Sequence, residues 1–512
     1  MDDTELVFGT DAEVEATFTV LRSLGVDRVR VSLLWYVVAP SPESQTRPEF
    51  GAGGPTDPAA YPPGNWNIYD RVVNAAERNG IDLVFTITGP GPVWASSDPA
   101  RSDKPWDPSA VDFGHFVAAV GHRFSGNYSD EQPVQPPPPS GGLILGPQPP
   151  PPPAEPPPTV LPRVSMWSIW NEPNQPGWLR PQASNLLPHS PRMYRALQDA
   201  GYAALHATGH GADTYLLGET APRGSRTPEE LSPMRPLQFI RELYCVDPSL
   251  QPYTGEAATA RGCPPDDAGR AAFAADHPGL FNATGFAHHP YALEVPPSAR
   301  EPYRDNVTLA TLPRLTDTLD RIFRLYGQSR KLPIWLTEYG YQTNPPDPII
   351  GVSWRRQAAY LNEAEYMAYK HRRVRSHAQF LLVDDEPNTR WPPDDPRYWG
   401  STFQSGLVTL EGRRKHAFKA YRLPIHVTPR KVRRGRRIKV FGANRPAAPA
   451  AKLPVAVEFR RRGSKRWRRV RRVTTGSFRN YVLVKLRART SGAYRLAWES
   501  GRSRAVPLTV KR

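Results

Sequence analysis

Two hydrophobic patterns alternate along residues 11–421. In DAEVEATFTVLRSL (11–24) the apolar residues Val14, Phe18, Leu21 and Leu24 recur at helical spacing, with Asp11 placed to cap the start and Gly25 to end it. VDRVRVSLLW (26–35) then runs apolar and β-branched, as a buried strand does. The pair of patterns repeats. Helices are predicted over 68–79, 109–124, 191–208, 235–244, 311–327, 353–371 and 413–421. Further strands are predicted over 81–87, 163–170, 213–218, 284–288, 332–337 and 378–383. Strands separated by helices imply βαβ units and a parallel sheet.

Seven strands and a leading helix fall one strand short of a (β/α)8 TIM barrel. The missing first strand is expected before residue 11, with Leu6-Val7-Phe8 as its remnant or the loop after it. A barrel that begins mid-motif predicts a start upstream of Met1, and a secretion signal lost with it. The visible start, Met-Asp-Asp-Thr-Glu, is acidic and lacks the apolar centre of a signal peptide. No apolar run reaches the ~18 residues of a membrane helix, so no membrane span is expected.

Residues 126–162 break the alternation with QPPPPSGG and PQPPPPPAEPPP, which suit polyproline II or disorder. The insertion enters a barrel on the face opposite its active mouth, so no catalytic role is expected of it. From residue 425 the pattern changes again. Short alternating runs (RIKVFGA, VAVEFRR, YVLVKLR, YRLAWES, AVPLTV) separated by Gly-, Ser- and Thr-rich turns read as a β-sandwich of the immunoglobulin or fibronectin type. The expected organisation is an α/β barrel over 1–424 and an all-β domain over 425–512.

Charge divides the chain at the same point. Residues 425–512 hold 27 Lys or Arg against Glu458 and Glu499, a net +25, so residues 1–424 carry −8 of the chain's +17. Cys245 and Cys263 lie in a Pro- and Gly-containing stretch without other metal ligands nearby. A local disulfide in an oxidising compartment is preferred there over two free thiols. Thirteen Trp, 21 Tyr and 18 Phe suit either core packing or a cleft that stacks on sugar rings.

Two carboxylates end predicted strands: Glu172 in WNEPN and Glu338 in WLTEYG. Strand ends of this kind converge on a barrel's mouth. Glycoside hydrolysis needs two carboxyl groups flanking the bond, ~5 Å apart in the retaining mechanism. WNEPN and WLTEYG, on the fourth and seventh strands of an eight-strand count, resemble the motifs of glycoside hydrolase clan A, of the cellulase-like family 5 and xylosidase-like family 39 type. The resemblance covers roughly residues 1–424. It implies Glu172 as general acid/base, Glu338 as nucleophile and Asn171 on the sugar 2-hydroxyl. More loosely, it implies Arg30 as support for the nucleophile's charge, and His289 and Tyr291 of AHHPYA as neighbours of the nucleophile. It implies Trp399 as a sugar-stacking platform, with Trp391 and Trp35 as competitors.

Bland readings stand beside these. Arg30 also reads as a strand-end salt bridge, and Glu219 in GETAP as a third carboxylate, a supporting contact or a sugar contact. Asp384, Asp385 and Glu386 read as an acidic lip, and no ligand spacing surrounds His288 and His289, so no metal is expected. The resemblance implies a retaining glycoside hydrolase that is secreted or wall-associated, acts on a β-linked carbohydrate and needs no cofactor. A non-catalytic carbohydrate- or wall-binding barrel and a transglycosylase are the rival readings. For the basic domain, contact with an anionic wall or polysaccharide ranks ahead of a merely solvated face, and both rank ahead of nucleic acid.

Overall fold

The leading helix, Asp11–Leu24, is capped by Thr10 rather than Asp11. The Thr10 hydroxyl accepts from the Glu13 N–H, and the Glu13 carboxylate accepts from the Thr10 N–H at 2.6 Å. This reciprocal box satisfies two donors that a helix start leaves open. Gly25 closes the helix at φ 71°, a conformation that costs a side chain about 1 kcal/mol and glycine little. The structure, a computed structural model, describes residues 4–101, 106–129, 160–476 and 479–511. Most of the proline-rich insertion lies outside the described residues; at its edges Ser129 and Val160 pair in an antiparallel bridge.

Seven parallel strands follow: β1 (Arg28–Leu34), β2 (Asp82–Thr88), β3 (Met166–Ile169), β4 (Thr214–Thr220), β5 (Gly285–His288), β6 (Ile334–Leu336) and β7 (Val374–His377). They pair in chain order, each with the next. The sheet is curled. Val84, Met166, Leu216 and Ala287, from four successive strands, pack on one another and on Trp335 of β6. Side chains from five adjacent strands meet only when the sheet wraps a common axis. Helices cover the outside, burying Phe18, Leu21, Phe116, Leu197, Leu319 and Ile322 among others. The fold is that of a (β/α)8-type barrel with seven strands among the described residues.

The expected eighth strand does not appear there. Leu6 and Val7 are buried in a short helix, Thr4–Val7. Arg28 of β1 and the whole of β7 border a cavity of about 450 Å³ between the first and last strands. The last strand also differs from expectation, lying at 374–377 rather than 378–383. Residues 378–380 extend the pairing only by Ala378 N to Leu336 O and Phe380 N to Tyr339 O, both 2.8 Å. Leu381 then turns to φ 70°, and the apolar run Phe380–Leu382 is buried as irregular chain.

Cys245 and Cys263 are joined by a disulfide, as preferred from the sequence. The chain leaves its last barrel helix, His416–Arg422, and enters a sandwich of β8 (Ile425–Thr428), β9 (Lys431–Arg433), β10 (Arg437–Ala443), β11 (Pro454–Arg461), β12 (Arg468–Thr474), β13 (Tyr481–Arg487), β14 (Gly492–Trp498) and β15 (Val506–Lys511). One sheet runs β8-β10-β13 and the other β9-β15-β14-β11-β12. Ile425, Val440, Val457 and Leu496 lie in the core between them. The sandwich is fastened to the barrel helix Trp354–Lys370. Tyr366 stacks on His426 at 5.0 Å, Arg504 Nε donates to Asn362 Oδ1 at 3.0 Å, and Arg445 pairs with Glu365. No helix of the described residues is long and apolar enough to cross a membrane.

Candidate active site

The carboxyl ends of β1 and of β3 to β6 meet at a cavity of about 860 Å³. Two left-handed turns put the acids there. Trp170 (φ 66°) and Glu172 (φ 37°) follow β3, and Glu219 (φ 46°) sits in the irregular end of β4. Such conformations cost about 1–3 kcal/mol each in non-glycine residues and persist where the surroundings enforce them. Enforcement is visible. The Glu172 N–H donates to Glu219 O at 3.0 Å, tying the two turns together. Asn174, the last residue of WNEPN, accepts from Ala221 N and donates to Met234 O, both at 2.8 Å. Gly89 leaves room for the Trp170 ring, whose Cζ2 would lie 2.5 Å from any Cβ at that position.

Arg30 organises the floor. Its guanidinium donates to Glu219 Oε1 at 3.0 Å, to Glu338 Oε1 at 3.0 Å and to Asn171 Oδ1 at 2.6 Å. Arg30 and Glu219 are almost fully buried, and Thr86 adds a hydroxyl to each Glu219 oxygen at 3.2 Å. Glu219 is thus the counter-charge that holds Arg30, the supporting role among those weighed for it. The other oxygen of Glu338 accepts from the Tyr291 hydroxyl at 2.8 Å. Burial, and then the Glu338 charge, push the Tyr291 phenol well up, so it stays a donor.

Glu172 has a different setting. His289 Nδ1 lies 2.8 Å from Glu172 Oε1 and 3.5 Å from Glu338 Oε2. Burial pulls the His289 imidazole down, but the charge of Glu338 and the bond and charge of Glu172 outweigh it, so its pKa is raised. One oxygen of Glu172, one of Glu338 and a His289 nitrogen all lie within 4.8 Å of one another. The fold thereby gives His289 the carboxylate neighbours that its local sequence lacks. A cation could draw on these three atoms, but both Glu338 oxygens already accept hydrogen bonds and a guanidinium sits on one. That set fits a carboxylate held by hydrogen bonds better than a metal ligand.

Other predicted residues go elsewhere. Trp35 is fully buried and packs on Trp94, Phe113 and Phe116, so it is a core residue rather than a sugar platform. Trp399 rests on Tyr398 in a short helix, Pro396–Gly400, and Trp391 under the Arg397 guanidinium; neither lines the cavity. Trp178 lines it instead, its backbone oxygen accepting from Trp170 Nε1 at 3.1 Å. It lies six residues past Glu172, and that nearness was the available signal. His288 is sealed between Thr220 and Val307. Asp384, Asp385 and Glu386 all line the cavity, Asp384 buried on Lys415 at 2.6 Å.

No family model matches the chain, and no curated protein matches it by sequence. Solved structures of similar shape include a GH5_18 protein from Streptomyces cattleya in complex with GlcNAc, at 14% identity and TM-score 0.45, covering 82% of this chain and 75% of that one. A family 51 α-L-arabinofuranosidase from Bifidobacterium longum follows at 12% and 0.43, covering 95% and 89%. A β-glucosidase from Exiguobacterium marinum stands at 14% and 0.43, covering 80% and 84%.

Proposed function

We propose that this chain hydrolyses O-glycosidic bonds of a β-linked carbohydrate with retention, using Glu338 as nucleophile and Glu172 as acid/base. The observation that carries the reading is the pairing of two carboxylates within 4.8 Å in one cavity but in unlike settings. Glu338 is clamped by a guanidinium and a phenol, which favour the anion. The Glu172 carboxylate meets His289 and is the more exposed of the two, at 19% against 9%. Unlike settings for two acids support unlike roles. Carboxylate oxygens no more than 4.8 Å apart favour direct attack, since inversion needs room for a water between the groups.

In the first step Glu338 attacks the anomeric carbon while Glu172 protonates the departing oxygen. Water, deprotonated by Glu172, then releases the sugar. Asn171, anchored by Arg30, would meet the 2-hydroxyl. Incubation with 2-deoxy-2-fluoro glycosyl fluorides, read by intact mass and peptide mapping, should place one sugar on Glu338 and none on Glu338→Ala. Polysaccharide binding with no adduct from any sugar would instead make the barrel a non-catalytic platform. We further propose an extracellular or wall-associated setting. The disulfide suits an oxidising compartment, and the basic sandwich suits an anionic wall.

A further inference from the structure

A glycosidic bond has two sides, and the cavity is built differently toward each. Its floor is polar, with Arg30, Asn171 and the two acids. Toward solvent the lining becomes Phe8, Trp178, Leu293, Ile350, Phe403 and Leu410. Phe8 is 60% exposed, and Leu293, Phe403 and Leu410 are each 44% exposed. Val295 and Ile349, on the same loops, are exposed as well. Single exposed apolar side chains are ordinary, but a group converging on one mouth marks a binding surface.

Most polar side chains of the outer cavity are engaged with neighbouring chain, with Glu386 exposed at the rim. Gln175 Nε2 donates to Arg223 O at 3.2 Å, and Arg223 donates to Glu301 and to Tyr291 O. The Asp385 carboxylate accepts from the Phe403 N–H at 2.9 Å. Gln342 and Thr402 both accept from Gln404, and Ser405 donates to Phe380 O at 2.8 Å. A second sugar would need such groups free to meet its hydroxyls, because burying them unmatched is costly. What the outer cavity presents is largely hydrocarbon.

We propose that the substrate is a β-glycoside with a bulky apolar aglycone, aryl or alkyl, seated on Leu293, Phe403 and Leu410; this rests on the catalytic reading above. Glu172 protonates the glycosidic oxygen and the bond to the anomeric carbon breaks. The aglycone leaves as its alcohol or phenol, and water later takes the sugar from Glu338.

The test uses the full chain and two kinds of probe. A 2-deoxy-2-fluoro glycosyl fluoride has no aglycone, so its adduct on Glu338 reports the catalytic reading alone. For the sugar that traps, kcat/KM is then compared for the octyl glycoside (below its micelle concentration), the methyl glycoside and the corresponding disaccharide. The octyl compound should exceed the methyl by at least about tenfold, the gain expected from burying two or three methylenes. Leu293→Ser with Phe403→Ser should draw that ratio toward one while the fluoride still labels Glu338. Trapping with a disaccharide preferred over the octyl glycoside would overturn the aglycone and keep the catalytic reading. A wild-type dimer that the double variant dissolves in sedimentation would give the rim to a second copy and overturn the proposal. No trapping would remove the reading on which it rests.

Discussion

At the scale of single residues, the site depends on unequal treatment of like groups. Two glutamates of one type differ because Arg30 and Tyr291 hydrogen-bond Glu338 whereas His289 meets Glu172. Glu172→Ala should therefore remove proton donation and leave attack. With methyl glycosides, whose leaving group needs the proton, kcat/KM should fall by about 10²–10⁴. With 2,4-dinitrophenyl glycosides the first step should persist, and stopped-flow absorbance should show a burst followed by slow turnover. Equal losses on both substrates would remove Glu172 from the acid role. His288 and His289 show the same inequality. His288 is pushed down to about 3, by burial first, while its neighbour is raised. For His288 the unfolded chain binds the extra proton between about 3 and the usual ~6.5, so stability is present above that window and lost as pH falls through it. The slope is at most about 1.4 kcal/mol per pH unit. Urea unfolding from pH 4 to 7 should show a shallower acid loss in His288→Gln than in wild type, and parallel curves would refute the assignment.

At the scale of elements, legibility followed the periodicity of the apolar positions. The helix 11–24 was readable from Val14, Phe18, Leu21 and Leu24, but its cap moved one residue because Thr10 and Glu13 close a reciprocal box. Strands β1 to β6 were readable as apolar runs bounded by glycine and polar turns. The run AQFLLV was not a strand, because burial alone makes a segment apolar, and Leu381 at φ 70° breaks the extended chain. The acids of the site were legible because strand ends carry them in compact motifs. The Arg30–Glu219 bond was not, since 189 residues separate its partners. Trp35 misled because an aromatic at a strand end serves a core as readily as a cleft. The disulfide was legible from the absence of competing ligands, and it can be weighed. Its closed loop spans 18 residues, worth about 3 kcal/mol in chain entropy. Cys245→Ser should lower unfolding stability by ~2–4 kcal/mol, and dithiothreitol should bring wild type to the same midpoint. An unchanged midpoint under reduction would mean that the crosslink does not constrain the unfolded chain.

At the scale of the whole molecule, the sandwich sets four arginines along one exposed edge. Among the described residues β12 ends its sheet, pairing with β11, and Arg468, Arg469, Arg471 and Arg472 are all exposed along it. Beside it Trp467 lies under the guanidinium groups of Arg460 and Arg495, at 4.9 and 4.2 Å. Arginines on a lone solvated face are normally balanced by acids, but this domain contains two acids in all, and Glu458 is already bound to Arg495 at 2.6 Å. Such a surface attracts extended polyanions by charge, with a strong dependence on salt. The reading therefore predicts retention of the full chain on immobilised polygalacturonate at low ionic strength. Replacing all four β12 arginines by serine should lower the eluting salt concentration substantially, whereas changing an equal number of arginines on the acidic barrel should not. If the variant elutes with wild type, the edge is a solvated face whose charge keeps an unpaired strand from joining another sheet.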